Sequence, residues 1–187
     1  MKEWLSGRSY LCDNLSNADD TLRLMRYDLL IVPPELEAPP RWIRNISNFI
    51  ENGQSLLVID KIITSEREIL AKLLGYENIH YEEFELMDGA LIILDEDHPI
   101  TSGYTAGERV ALGRTWGNPC MSVSSTGKIL AVQEVVIDNE TKVAPAITIN
   151  SYHRGKTLHL NFHAEESAIR IDKILKTALD WLLYTQK

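Results

Sequence analysis

Gln54-Ser55-Leu56-Leu57-Val58-Ile59-Asp60-Lys61 is the stretch whose reading decides the fold. Its unbroken apolar run is the pattern of a strand covered on both faces of a parallel sheet, and Asp60-Lys61 then reads as a turn leading toward a helix. Upstream, Asp28-Leu29-Leu30-Ile31-Val32 has the same character. Pro33-Pro34 stops that run, because proline has no N–H to give to a ladder. Between the two runs, Pro39-Pro40 opens a helix in which Trp42, Ile43, Ile46, Phe49 and Ile50 share one face. Asn52-Gly53 closes it with residues suited to the left-handed C-terminal position. The result is a strand–helix–strand unit, which requires a right-handed crossover.

Working outward, Ser65-Glu66-Arg67-Glu68 has capping-box spacing, Ile69, Leu70, Leu73 and Leu74 form an apolar stripe, and Gly75 ends a second helix. Residues 76–88 show no period and read as a loop or an irregular edge. Strands are expected at 91–94, 109–112, 128–137, 143–149 and 157–162, with a further short one at 9–12. Asp138-Asn139-Glu140-Thr141 and His153-Arg154-Gly155 carry turn chemistry between neighbours. A long helix over 166–184 puts Ala168, Ile171, Leu175, Ala178 and Leu182 on one face, broadened by Ile174 and Trp181.

Composition excludes several functions. The chain has 187 residues, enough to bury a core without metals or disulfides, and 44% of them are hydrophobic. A net charge of −8, with no cluster of Lys and Arg, argues against nucleic acid as a partner. No apolar run reaches the roughly 18–20 residues of a membrane helix, and no N-terminal run resembles a signal peptide, so no membrane is expected. Cys12 and Cys120 lie far apart, outside metal-ligand spacing, which fits a reducing, cytoplasmic setting. No metal or cofactor is expected.

Two late segments add a resemblance. Asn161-Phe162-His163-Ala164-Glu165 looks like the His-x-Glu end of a catalytic triad, and 54–61 has the outline of a nucleophile elbow. With Pro33-Pro34-Glu35 after an earlier strand, their order resembles the class I glutamine amidotransferase-like superfamily. Asp97-His98-Pro99-Ile100-Thr101-Ser102-Gly103-Tyr104, with Gly155-Lys156 and a last helix bearing Asp180-Trp181-Leu182, is similar to its trehalose-utilisation-type branch. The resemblance implies one α/β domain over residues 1–187. That domain would be flavodoxin-like and three-layered, with a mostly parallel sheet and an antiparallel extension in the second half. In that family the first strand lies centrally. Met1-Lys2-Glu3-Trp4-Leu5 already reads like the end of the helix that follows it. An uncovered strand edge is an aggregation hazard, so a partner chain, a homodimer or a rearranged strand order is expected.

The family's chemistry is damaged throughout. Asp60 stands where a cysteine would attack, and neither cysteine is on the elbow. Val58-Ile59-Asp60-Lys61-Ile62 lacks both elbow glycines. Pro34 replaces a glycine whose amide would line the oxyanion hole, and one lost donor costs about 2.7–4 kcal/mol of transition-state stabilisation. Asp60, His163 and Glu165 are therefore vestigial catalytic candidates, and Pro34, Glu35, Asp60 and His163 are candidate ligand-binding residues.

Each has a plainer reading. His163 is a base, or a strand-end histidine bonded locally; Glu165 orients it, or favours the N-terminus of the last helix. Asp60 is a carboxylate nucleophile, or caps the following helix or binds a polar group at the sheet's carboxyl end. Asp95-Glu96-Asp97-His98 reads as a solvated turn, Trp116-Gly117-Asn118-Pro119 as a turn carrying one aromatic, and His159 shares a strand face with His163. Binding of a small ligand or a protein partner is expected. The alternative is hydrolysis of a small amide or sugar derivative by His163 and Glu165 with Asp60. The purified chain is expected to release no ammonia from glutamine in a coupled assay.

Overall fold

The computed structural model describes residues 18–19, 21–81, 84–117, 121–163 and 171–184. In chain order the elements are α1 (Thr21–Leu24), β1 (Leu29–Val32), β2 (Leu36–Glu37), α2 (Pro40–Glu51), β3 (Ser55–Ile59), β4 (Ile62–Ile63), α3 (Arg67–Leu74) and β5 (Tyr76–Ile79). They continue with β6 (Phe84–Ile93), β7 (Arg109–Gly117), β8 (Met121–Val123), β9 (Gly127–Ile137), β10 (Glu140–Tyr152), β11 (Gly155–Leu160) and α4 (Asp172–Tyr184).

β3 is buried along its whole length, as its apolar run requires. It pairs in parallel with β1 on one side and β11 on the other. From β11 the seven-stranded sheet continues antiparallel through β10, β9, β6 and β7. The fold is thus mixed α/β, parallel at its core with an antiparallel extension built by the second half. Leu57 and Ile59 face one apolar cluster with Ile174, Leu175, Ala178 and Leu182 of α4. Leu56 and Val58 face the other, with Ile43, Phe49 and Ile50 of α2 and Leu70 and Leu73 of α3. The period-two alternation of β3 therefore assigns helices to both faces of the sheet.

Buried polar groups of the sheet finish the helices. The Thr157 hydroxyl donates to the Leu73 carbonyl at 2.7 Å, and the Asn150 amide donates to the Lys72 and Leu73 carbonyls at 3.0 and 3.1 Å. These carbonyls belong to the last turn of α3, where intrahelical donors run out; Lys72 O has in addition only the long bond from the Gly75 cap, at 3.4 Å. Gly75 closes that helix in the left-handed region (φ 80°), and a Cβ there would meet the Gly127 backbone. On the opposite face the Ser55 hydroxyl donates to Leu182 O of α4 at 2.7 Å. Thr177 of α4 donates to Ile100 O at 2.9 Å, so the His-Pro-Ile-Thr segment packs Ile100 into the core beneath α4.

Several expectations need correction. The capping box at Ser65 does not form: α3 starts at Arg67 after Glu66, whose side chain makes no cap. The Glu66 carboxylate is taken by Arg44 of α2 at 2.5 Å instead. Of the two readings of 76–88 the loop gives way to the irregular edge: β5 pairs with β8 across a register shift, and β6 begins at Phe84. Register shifts between Leu86 and Ala90 break the alternation there, which hides the strand from a period-two reading. Trp116 is not in a turn; it lies in β7 opposite Glu85. Asp138 and Asn139 both take positive φ (50° and 62°) and join β9 to β10 as a two-residue hairpin.

Among the described residues β1 ends the sheet on its side, and no strand stands between β1 and β3 or between β3 and β11. The strand expected at 9–12, Cys12, Cys120, Asn118-Pro119, Glu165 and the first turns of the last helix lie outside the described residues. Thr157→Val keeps the side-chain shape and removes one donor to the end of α3. It is expected to lower stability by about 1 kcal/mol, measured by urea denaturation.

Candidate functional site

β1 and β3 end side by side, with Val32 opposite Val58. After three residues in the first connection (33–35) and two in the second (60–61) they pair again as β2 and β4, with Leu36 opposite Ile62. The two intervening turns are therefore held against each other at the carboxyl edge of the parallel strands, where open α/β sheets present their sites. Each turn contains a non-glycine residue in the left-handed region, Glu35 at φ 57° and Asp60 at φ 61°. Such a conformation costs about 1–3 kcal/mol and persists only where the surroundings impose it. Lys61 and Glu35 join the turns through an ion pair at 3.2 Å.

Asp60 is imposed upon by β11. Its N–H donates to Leu160 O at 2.7 Å, and its carbonyl meets His159 Nε2 at 2.5 Å. A carbonyl only accepts, so Nε2 carries the proton and Nδ1 is the acceptor. Nδ1 lies 2.8 Å from the Tyr76 hydroxyl, which therefore donates to it; Thr148 Oγ1, 3.1 Å from the same oxygen, completes the chain. The assignment requires a neutral imidazole. Burial provides it, pushing the His159 pKa down to about 4 against the raising effect of the Asp60 carbonyl. Burial also pushes the Tyr76 hydroxyl well above its ordinary range, so it keeps the proton it donates.

The Asp60 carboxylate, itself buried, points to the next histidine, three residues past the end of β11. Oδ2 lies 3.5 Å from His163 Nε2, and the His163 side chain is 21% exposed. Asn161, between the two histidines, ties the strand end to β10: its N–H donates to Ala146 O at 2.9 Å and its side chain to Pro145 O at 2.7 Å. The Trp116 ring, from the far end of the sheet order, stands edge-on to the His163 imidazole with centroids 6.0 Å apart. The sheet is curled enough to bring β7 back over the end of β11. The site is a buried carboxylate, a partly exposed imidazole and an aromatic wall.

Of the sequence candidates, the structure brings Asp60 and His163 together. Glu35 turns to Lys61, and Pro34 is half-buried in the adjoining turn. Glu165 lies outside the described residues, so Asp60 is the carboxylate found against His163 among those described. Asp60 does not cap a helix, because β4 and residues 64–66 separate it from α3. Trp116, Tyr76 and His159 were not among the candidates. For His159 the i, i+4 spacing to His163 was a weak signal: β11 ends at Leu160, before His163, yet the two imidazoles hold the carbonyl and the carboxylate of one residue. The Asp95 turn is tied down by Lys128 at 2.5 Å and contributes nothing to the site.

No family model matches the sequence. No curated protein matches it either. Solved structures do share the fold. A protein from Bacteroides uniformis described as ThuA-like superposes with a TM-score of 0.79 at 14% identity, covering 100% of this chain and 82% of that one. Cytoplasmic protein STM3548 from Salmonella typhimurium gives 0.70 at 13% identity, over 96% of this chain and 84% of that one. A cold-adapted β-galactosidase from Rahnella sp. R3 gives 0.56 at 19% identity, over 86% of this chain but 24% of that one. At these identities the likeness concerns the fold alone. Among the described residues no helix is long and apolar enough to cross a membrane.

The buried neutral imidazole has a pH consequence. The unfolded chain takes a proton on His159 near pH 6.5, whereas the folded chain resists it until about pH 4. Stability contributed by this residue is therefore complete above that window and falls as pH drops through it, by roughly 3 kcal/mol in all. Urea denaturation across pH 4 to 7 is expected to show this loss in the wild type and a flatter profile in His159→Gln.

Proposed function

We propose that this chain is a class I glutamine amidotransferase-like domain that has no glutaminase chemistry and binds a small polar ligand. Asp60 and His163 supply the polar contacts and Trp116 the aromatic wall. The observation that carries the reading is the 3.5 Å approach of the Asp60 carboxylate to a partly exposed imidazole at the carboxyl ends of β3 and β11. Such a pair offers an acceptor and a donor to one ligand, beside an apolar ring, which is the usual composition of a small-molecule site. The same positions lack what acyl transfer needs. Asp60 is no thiolate, and Pro34 has no amide to give an oxyanion.

The fold shared with the Bacteroides and Salmonella proteins supports the superfamily reading. Helices on both faces of β3 support a flavodoxin-like, three-layer arrangement. The likeness to part of a β-galactosidase shows that this fold also stands inside a larger enzyme. A cytoplasmic setting fits the two distant cysteines and the description of STM3548.

A second reading is favoured by the same distance. His163, oriented by Asp60, has the arrangement of a general base with its carboxylate, able to take a proton from water attacking a small amide or sugar derivative. Asp60 then occupies the orienting role expected of Glu165.

The two readings separate in one experiment. A library of small amides and sugar derivatives is screened by ligand-observed NMR, and hits are carried into calorimetry and turnover assays. Binding is expected to weaken about tenfold or more in His163→Ala and Asp60→Asn, each of which should remain folded, because a charge-assisted hydrogen bond is worth about 1.5–3 kcal/mol. Product formed by the wild type and abolished in His163→Ala selects the hydrolase. Hits whose affinity neither substitution changes sink both readings.

A further inference from the structure

Asp60 is held in its left-handed conformation from one direction. Leu160 takes its N–H, and the His159 ring takes its carbonyl. His159 can do this only while its other nitrogen accepts, and the Tyr76 hydroxyl supplies that proton. Tyr76 is the residue after the Gly75 cap, so its position is fixed by the end of α3. Neither Tyr76 nor His159 touches the open side of the site. His159 is fully buried, and the two rings meet edge to face with centroids 5.6 Å apart.

We propose that Tyr76 and His159 are positioning residues of the Asp60–His163 pair: by fixing the Asp60 carbonyl they set the turn that aims its carboxylate at His163. The proposal rests on reading that pair as the ligand site, but it concerns a geometry that exists without ligand. Three features support it over simple satisfaction of buried polar groups. The bond falls on a backbone group of the one strained residue whose side chain forms the site. His159 lies in β11 and His163 follows three residues after that strand ends, so one short stretch of chain carries both the ring on the carbonyl and the partner of the carboxylate. The chain of donors runs in one direction, from Tyr76 to His159 to Asp60, so it fails if any one proton is misplaced.

The test uses the full-length chain labelled with carbon-13 at histidine, with the His163 ring signal assigned by its loss in His163→Ala. Asp60→Asn defines where that signal moves when the carboxylate is removed. His159→Leu and Tyr76→Phe are expected to move it most of the way to the same place. His159→Gln is expected to leave it at the wild-type position, because a primary amide can donate to Asp60 and accept from Tyr76. A His163 signal at its wild-type position in folded His159→Leu and Tyr76→Phe overturns the proposal. So does a His159→Gln signal displaced as far as that of His159→Leu. Should His159→Leu fail to fold, Tyr76→Phe, which removes a single oxygen, decides alone. None of these outcomes depends on ligand. Retained ligand binding in His163→Ala would refute the functional reading while leaving the positioning result intact.

Discussion

The hydrogen bond from His159 Nε2 to the Asp60 carbonyl is the constraint around which this end of the molecule is organised. It places a polar ring in a site with no solvent, where an unsatisfied nitrogen would be costly. Both nitrogens are therefore partnered, one by a backbone carbonyl and one by Tyr76. Because the acceptor is a carbonyl, the tautomer is determined, and because the site is dry, the ring is neutral. In return the turn after β3 is fixed at a positive φ that an aspartate would not hold alone. The carboxylate of that same residue then reaches the imidazole of the second histidine.

The same economy of buried polar groups recurs across the sheet. Thr148 and His159 lie opposite one another on β10 and β11, and both meet Tyr76. Thr157 and Asn150, two register pairs away, meet the last carbonyls of α3. On the other face Ser55 meets α4. On β3, β10 and β11 these inward polar side chains have a helix end or a ring as partner. The helices are docked by directed bonds as well as by the apolar clusters that their buried faces form with β3 and β11.

The two halves of the sheet serve different ends. The parallel strands β1, β3 and β11 bring their carboxyl ends to one edge, which gathers Glu35, Asp60 and His163 there. The antiparallel strands extend and curl, and Trp116 returns with them to stand beside His163. A site made in this way joins residues from opposite ends of the strand order. Asp60 and Pro34 both follow strands of the parallel half. What the antiparallel half adds there is the Trp116 ring beside His163.

Much was legible in the sequence alone. The runs ending at Val32 and Ile59, the helix between them and the apolar faces of α2 and α4 follow from periodicity, because burial on one or both faces dictates residue type over several turns. Asp60 and His163 were legible because each follows a strand with no space for solvent. The start of α3, the strands within 76–88 and the place of Trp116 were not legible. Ion pairing by Glu66 and bulges in β6 override the local pattern at those points. Above all, Tyr76 carries no signal in its own neighbourhood. Its hydroxyl matters only because α3 ends where β11 passes, 83 residues later in the chain. Local burial patterns determined the elements and two ends of the site. Only the tertiary structure decided which buried proton goes to which acceptor, since that depends on contacts between residues far apart in sequence.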